Sequence, residues 1–249
     1  MDLNADVAES YLGDKVGCDE KIIPMLSSAS FACGFHGGDP LTIFQALQIA
    51  RQNHIVVGAH PSYNDRLGFG RHHIATTKEQ LTADIQFQLG GLIALAKPNY
   101  VRVRYVKAHG ALYNDMYSDE DIASTFARAV AQFDPELAIL GQPGSALQSI
   151  ANKLGIQYFR EGFADRRYSQ DGNLVPRSQA DSMIADPVEQ LRQALSLATS
   201  STVESITGHQ ISVKVDSICI HGDGPNAVTA VTAISHEFKT RGIAVRSFC

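Results

Sequence analysis

Tryptophan is absent, cysteine and methionine occur four times each, and no apolar run is long enough to cross a membrane. Without indole, the chain lacks the aromatic platform on which sugar rings commonly rest. Cys18, Cys33, Cys219 and Cys249 are scattered and form no CxxC pair, which excludes a cysteine-based zinc knuckle and a disulfide framework. They read as reduced thiols of a cytoplasmic protein. The opening MDLNADVAES has no basic stretch followed by an apolar one, so no signal peptide is expected. Lys and Arg number 21 against 26 Asp and Glu, a net charge of −5 that provides no basic stripe for nucleic acid. No GxxxxGK[ST] loop and no kinase-like glycine loop is present.

What remains is an ordinary globular composition, 44% hydrophobic and 19% charged, in 249 residues. That length suits one (β/α) barrel. Strand-like runs occur at Asp2–Asp6, Ala29–Cys33, Ile55–Ala59, Val101–Lys107, Leu137–Leu140, Ile156–Arg160 and Val213–Ile220. Amphipathic helices separate them. Thr77 and Gln80 form a capping box, Ser118 opens a second helix, Gly155 closes a third, and Asp186-Pro187 and Pro225 open the last two. Regular alternation means parallel βαβ units. The chain is therefore expected to be an α/β protein, a seven-stranded TIM-like (β/α) barrel over residues 1–249. Ile243–Phe248 is a candidate short eighth strand, and an open doubly wound sheet is the alternative. A small hairpin insertion near 203–215 turns at Thr207-Gly208-His209.

In such folds chemistry gathers where strands end. Asp2, Asn4 and Asp6 are spaced by two and share one face of the first strand. Later strands run into His36 and Asp39, His60, Lys107 and His109, Asp165 and Arg166, and His221 and Asp223. Four of the nine histidines thus follow strands directly. Carboxylates inside a narrow barrel need a histidine, a lysine, a metal or a substrate as partner, because an isolated buried charge is very costly. For Asp39 and Asp223, each ahead of a proline, helix capping is the competing reading. For His36 and His60 it is a satisfied place in the core, and for Lys107 a structural ion pair.

The segments DLNADVAE, ACGFHGGDP, GAHPSYNDRLGFGR, VKAHGALYN, EGFADRRY, LVPRSQ and SICIHGDGP follow one another in the order and spacing of the LamB/YcsF family of 5-oxoprolinase A subunits, which the whole chain resembles. Ala8 stands where that family usually has glycine, Ala108 where it has proline, and Tyr105 where histidine is frequent. The resemblance implies a barrel related to metal-dependent carbohydrate deacetylases. It also implies an ATP-dependent hydrolase of cyclic amides that opens 5-oxoproline to glutamate with partner subunits B and C.

On that reading Asp6, Lys107, His109, Asp165 and His221 are catalytic, and Asn4, Arg166, Arg177, Tyr113 and Asp223 bind the small substrate. Lacking its own nucleotide loop, the chain is expected to share ATP with its partners. Asp6, His36 and His60 could hold a divalent metal as in the deacetylases, although no HxxxH pair is present, and direct acid–base use of the same residues is the alternative. Two other functions fit the motifs: a stand-alone metal-dependent amide hydrolase or deacetylase, and a non-catalytic interaction subunit.

Overall fold

Seven strands close into a parallel barrel in the computed structural model, which describes residues 1–224 and 226–249. The barrel strands are β1 (Asp2–Val7), β2 (Ser28–Ala32), β3 (Val56–His60), β4 (Val103–Val106), β5 (Ala138–Gly141), β6 (Tyr158–Phe163) and β9 (Ser217–Cys219), with β7 (Thr202–Glu204) and β8 (Gln210–Ser212) forming a separate pair. Barrel order is β1-β2-β3-β4-β5-β6-β9, and β9 pairs with both β6 and β1. That double pairing excludes the open sheet. The antiparallel β7–β8 hairpin stands apart, with Gly208 in its turn at φ +82°.

The helices are α1 (Asp19–Ile22), α2 (Pro40–Gln52), α3 (Lys78–Ala96), α4 (Gly110–Asp115), α5 (Glu120–Phe133), α6 (Ala146–Leu154), α7 (Pro187–Ser200) and α8 (Ala227–Thr240). Their starts follow side-chain chemistry. Thr77 accepts from the Gln80 N–H at α3, and Asp39 caps α2 through Leu41 and Thr42. At α5 the cap is Asp119, not Ser118, since its carboxylate takes two N–H groups. Pro225, expected to open α8, lies outside the described residues. No helix among the described residues is long and apolar enough to cross a membrane.

Leu3, Ala5 and Val7 of β1 join the helix-facing core, where α5 also buries Phe126 and Val130. Burial of one such side chain contributes roughly 1.5–3 kcal/mol. The alternate residues Asp2, Asn4 and Asp6 are buried too, on the barrel's inner face. Ile243–Phe248 forms no strand. β9 already satisfies the edges of β1 and β6, so no ladder remains open to it. Phe248 instead packs on Phe159 (4.5 Å between ring centroids) and Tyr105 (5.1 Å) at the lower end of the barrel.

Two backbone positions are tight. Ala8 leaves β1 at φ +60°, where a Cβ costs about 1–2 kcal/mol, so the departure from glycine is a strained one. At Gly58 a Cβ would lie 2.3 Å from the Tyr105 ring. Gly58→Ala is therefore expected to lower stability in chemical denaturation by about 1–3 kcal/mol, and by much less in a Tyr105→Ala background. Equal losses in both backgrounds would show that the ring is not the cause.

Candidate active site

The inner face of the barrel is built in polar layers. At the bottom, Asp2 accepts hydrogen bonds from the hydroxyls of Ser27 (2.6 Å), Ser28 (2.9 Å) and Ser217. Burial pushes its carboxyl up to about 6 despite those bonds. The raised value means that folding favours the protonated form. Asp2 thus contributes stability below its ordinary 3.8, and that contribution is lost as pH rises through about 6. Asp2→Asn should flatten this part of the stability-versus-pH curve; an unchanged curve would refute the assignment.

In the middle layer Asn4 donates to Ser217 Oγ (2.7 Å) and Glu161 Oε1 (3.2 Å). Lys107, only 2% exposed, reaches Asp6 at 2.7 Å and Glu161 at 2.8 Å. Burial works against its charge, but Asp6, Cys219 and Glu161 outweigh it and hold the Lys107 pKa well above the ordinary range. Burial likewise opposes ionisation of Asp6, yet the neighbouring His60 and the Lys107 ammonium hold its carboxyl well below the usual value. Tyr113 donates to the second Glu161 oxygen at 2.8 Å. One buried cation thus stands between two carboxylates.

Above this layer opens a pocket of about 420 Å³ lined by Asp6, His60, Lys107, His109, Arg166 and His221 among others, with Arg71 and Arg177 also on its walls. His221 donates from both its backbone N–H (3.1 Å) and Nδ1 (2.8 Å) to Asp165 Oδ2. Burial raises the Asp165 pKa, but the neighbouring His221 and its hydrogen bonds bring it below the ordinary value. The pair leaves His221 Nε2 for the pocket, the arrangement a general base needs. Arg166 is buried, gives one N–H to the Val175 carbonyl (2.7 Å) and keeps its Nε without a partner among the described residues. Burial and the neighbouring Arg177 cation push its pKa down to about 10. Two guanidinium groups held this close favour an anion between them. Asp223 lies behind Arg71, paired at 3.0 Å.

The fourth feature is a histidine cluster. His36 and His109 stack with ring centroids 3.7 Å apart, and His60 meets both edge-on. His60 Nε2 lies 3.2 Å from Asp6 Oδ2 and 3.0 Å from His109 Nδ1, while His36 Nε2 lies 3.2 Å from Glu9 Oε1. Burial, then the Asp6 charge, pushes Glu9 up to about 7. Burial, then neighbouring imidazoles, push His36 and His109 well below the ordinary histidine value.

The expected residues therefore converge: Asn4, Asp6, His60, Lys107, His109, Tyr113, Asp165, Arg166, Arg177 and His221 all line the pocket or touch residues that do. The donor group is arranged differently from the expected trio. Asp6 is committed to Lys107, while Glu9 and His109 join His36 and His60, with all four ligand atoms within 4.8 Å. Glu9, Glu161 and Arg71 were not anticipated. Glu161 was legible, standing two before Phe163 on the inward register of β6. Asp39 is a helix cap, held by Leu41, Thr42 and Leu12.

The profile of the LamB/YcsF family matches residues 1–249. The A subunit of a 5-oxoprolinase from Thermus thermophilus is 41% identical over 248 residues, covering 100% of this chain and 99% of that one. Its counterpart from Carboxydothermus hydrogenoformans is 44% identical over 248 residues, covering 100% and 97%. The crystal structure of the lactam utilization protein from Thermus thermophilus superposes with a TM-score of 0.94 at 40% identity, over 100% of this chain and 99% of that one. An Enterococcus faecalis structure at 11% identity and TM-score 0.54, covering 98% and 95%, shares the fold alone. By sequence and by fold, this chain belongs to the LamB/YcsF family.

Proposed function

We propose that the chain is the lactam-handling component of a cytoplasmic, ATP-dependent 5-oxoprolinase, a cyclic-amide hydrolase working with partner subunits B and C. The observation that carries this reading is the Asp165–His221 pair standing over a pocket floored by Lys107. The relatives' names supply the substrate class, and the 420 Å³ pocket has room for a small lactam and an activating group.

An unstrained lactam is a poor electrophile. ATP, bound together with the partners, transfers its γ-phosphoryl group to the lactam oxygen and leaves as ADP. His221 takes a proton from water as its oxygen bonds to the ring carbonyl carbon. Attack returns an electron pair to the ring nitrogen, and Lys107 faces the phosphorylated oxygen, whose negative charge a preorganised cation stabilises well in a water-poor site. The C–N bond then breaks, and His221 returns its proton to the leaving nitrogen. The resulting acyl phosphate is hydrolysed by a second water to glutamate and phosphate. Arg166 and Arg177 hold the substrate carboxylate throughout.

Reconstitution tests this directly. Candidate B and C subunits with ATP and 5-oxoproline should release glutamate only when this chain is added. Equal release without it would overturn the proposal, as would ATP-independent release by this chain alone.

A further inference from the structure

His60 and His109 each give one ring proton to a main-chain carbonyl. His60 Nδ1 lies 2.8 Å from the Lys107 oxygen, and His109 Nε2 lies 2.8 Å from the Phe69 oxygen. A carbonyl oxygen can only accept, so both tautomers are fixed. In the neutral rings the remaining nitrogens, His60 Nε2 and His109 Nδ1, carry lone pairs, and these face each other at 3.0 Å. Glu9 Oε1 stands 3.5 Å from His109 Nδ1. Asp6 Oδ2 stands 3.2 Å from His60 Nε2. Three acceptor atoms, His60 Nε2, His109 Nδ1 and Glu9 Oε1, therefore stand side by side, and in the neutral rings neither imidazole has a proton to give the other. Lone pairs packed this way repel one another until a positive centre lies among them.

We propose that Glu9, His60 and His109 form a three-ligand divalent-cation site of the zinc class, with its remaining coordination position turned to the pocket. Zinc–nitrogen bonds of about 2.0–2.1 Å in tetrahedral geometry place neighbouring ligand atoms about 3.3 Å apart. The 3.0 and 3.5 Å separations bracket that spacing. Two imidazoles and one carboxylate suit a borderline cation, and a three-residue set leaves room for water or substrate. The supporting contacts are already in place. Each imidazole ligand has its other nitrogen tied to a carbonyl, and His36 Nε2, 3.2 Å from Glu9 Oε1, donates to the carboxylate and orients it. His60 and His109 both line the pocket, beside Asp6 and Lys107. Asp6 is excluded as a ligand by its 2.7 Å contact with the Lys107 ammonium, which occupies one of its oxygens and opposes a second cation.

This site is inferred without reference to the lactam, and its test uses the metal alone. The full-length chain, stripped with a chelator, is titrated with Zn²⁺ by calorimetry and with Co²⁺ by visible absorption, and bound metal is counted by mass spectrometry. One equivalent per chain is expected, with the strong visible bands of four- or five-coordinate Co²⁺. His109→Ala and Glu9→Gln should each weaken binding at least tenfold, while His73→Ala, an exposed histidine outside the cluster, should bind like wild type. Circular dichroism checks that each variant folds, and the wild-type cobalt spectrum decides even if none does. Less than stoichiometric binding by wild type, or six-coordinate Co²⁺ bands, would mean that a shared proton joins the two histidines and would overturn the proposal. So would equal affinity in folded His109→Ala. Stoichiometric metal in a chain that fails to support glutamate release would instead count against the lactam reading alone.

Discussion

Lys107→Met is expected to abolish glutamate formation and to destabilise the chain by about 3–5 kcal/mol, the usual effect of removing one partner from a buried ionic group. The thioether fills much of the same volume but leaves Asp6 and Glu161 facing each other without the cation that joined them at 2.7 and 2.8 Å. The pH dependence gives the cause away. In wild type Asp6 titrates below its ordinary 3.8, so its contribution is present above that value and is lost as pH falls further. Without the ammonium, the Asp6 carboxyl loses one of the two neighbours that hold it down and moves upward, so the stability deficit of the variant should shrink as pH falls from about 7 to about 5. Chemical denaturation at the two pH values reads this difference. A variant with wild-type stability at neutral pH would show that the cation is not what reconciles the two carboxylates.

His221→Asn should lower kcat by about 10²–10⁴-fold while leaving stability within about 1 kcal/mol of wild type. Unlike Lys107, the His221 side chain keeps 14% exposure, and its one strong partner is Asp165. Asparagine removes the base, while the buried Asp165 carboxylate keeps the residue-221 backbone N–H and can take a second hydrogen bond from the amide. Asp165→Asn should be slower as well, because an amide holds the Nδ1 proton less firmly and the imidazolium formed on proton transfer loses its counter-charge. Arg177→Ala should act elsewhere, raising KM with a smaller effect on kcat, as loss of carboxylate binding does. Steady-state glutamate release by the reconstituted complex separates these patterns. A His221→Asn enzyme with normal kcat would remove His221 from the chemistry.

Much of this was legible in the sequence, for identifiable reasons. The i, i+2 spacing of Asp2, Asn4 and Asp6 survives folding because a strand's side chains alternate faces whatever surrounds it. Histidines after strands converge because parallel strands all end on the same rim. Glu9 was hidden because it follows Ala8, whose left-handed turn at φ +60° breaks the alternation that would have placed it. Ile243–Phe248 has strand-like composition but no free ladder to join, and only closure of β9 onto β1 decides that. The grouping of donors was also out of reach. Whether Asp6 serves Lys107 or joins the histidines depends on a contact between residues far apart in the chain, 2.7 Å across the barrel.

The most direct measurement is a crystal structure of this chain with 5-oxoproline bound. Density for the ring is expected in the pocket, its carboxylate toward Arg166 and Arg177 and its carbonyl within hydrogen-bonding reach of the Lys107 and His221 side chains. A ligand bound well away from those residues, with the pocket filled only by solvent at saturating concentration, would contradict it.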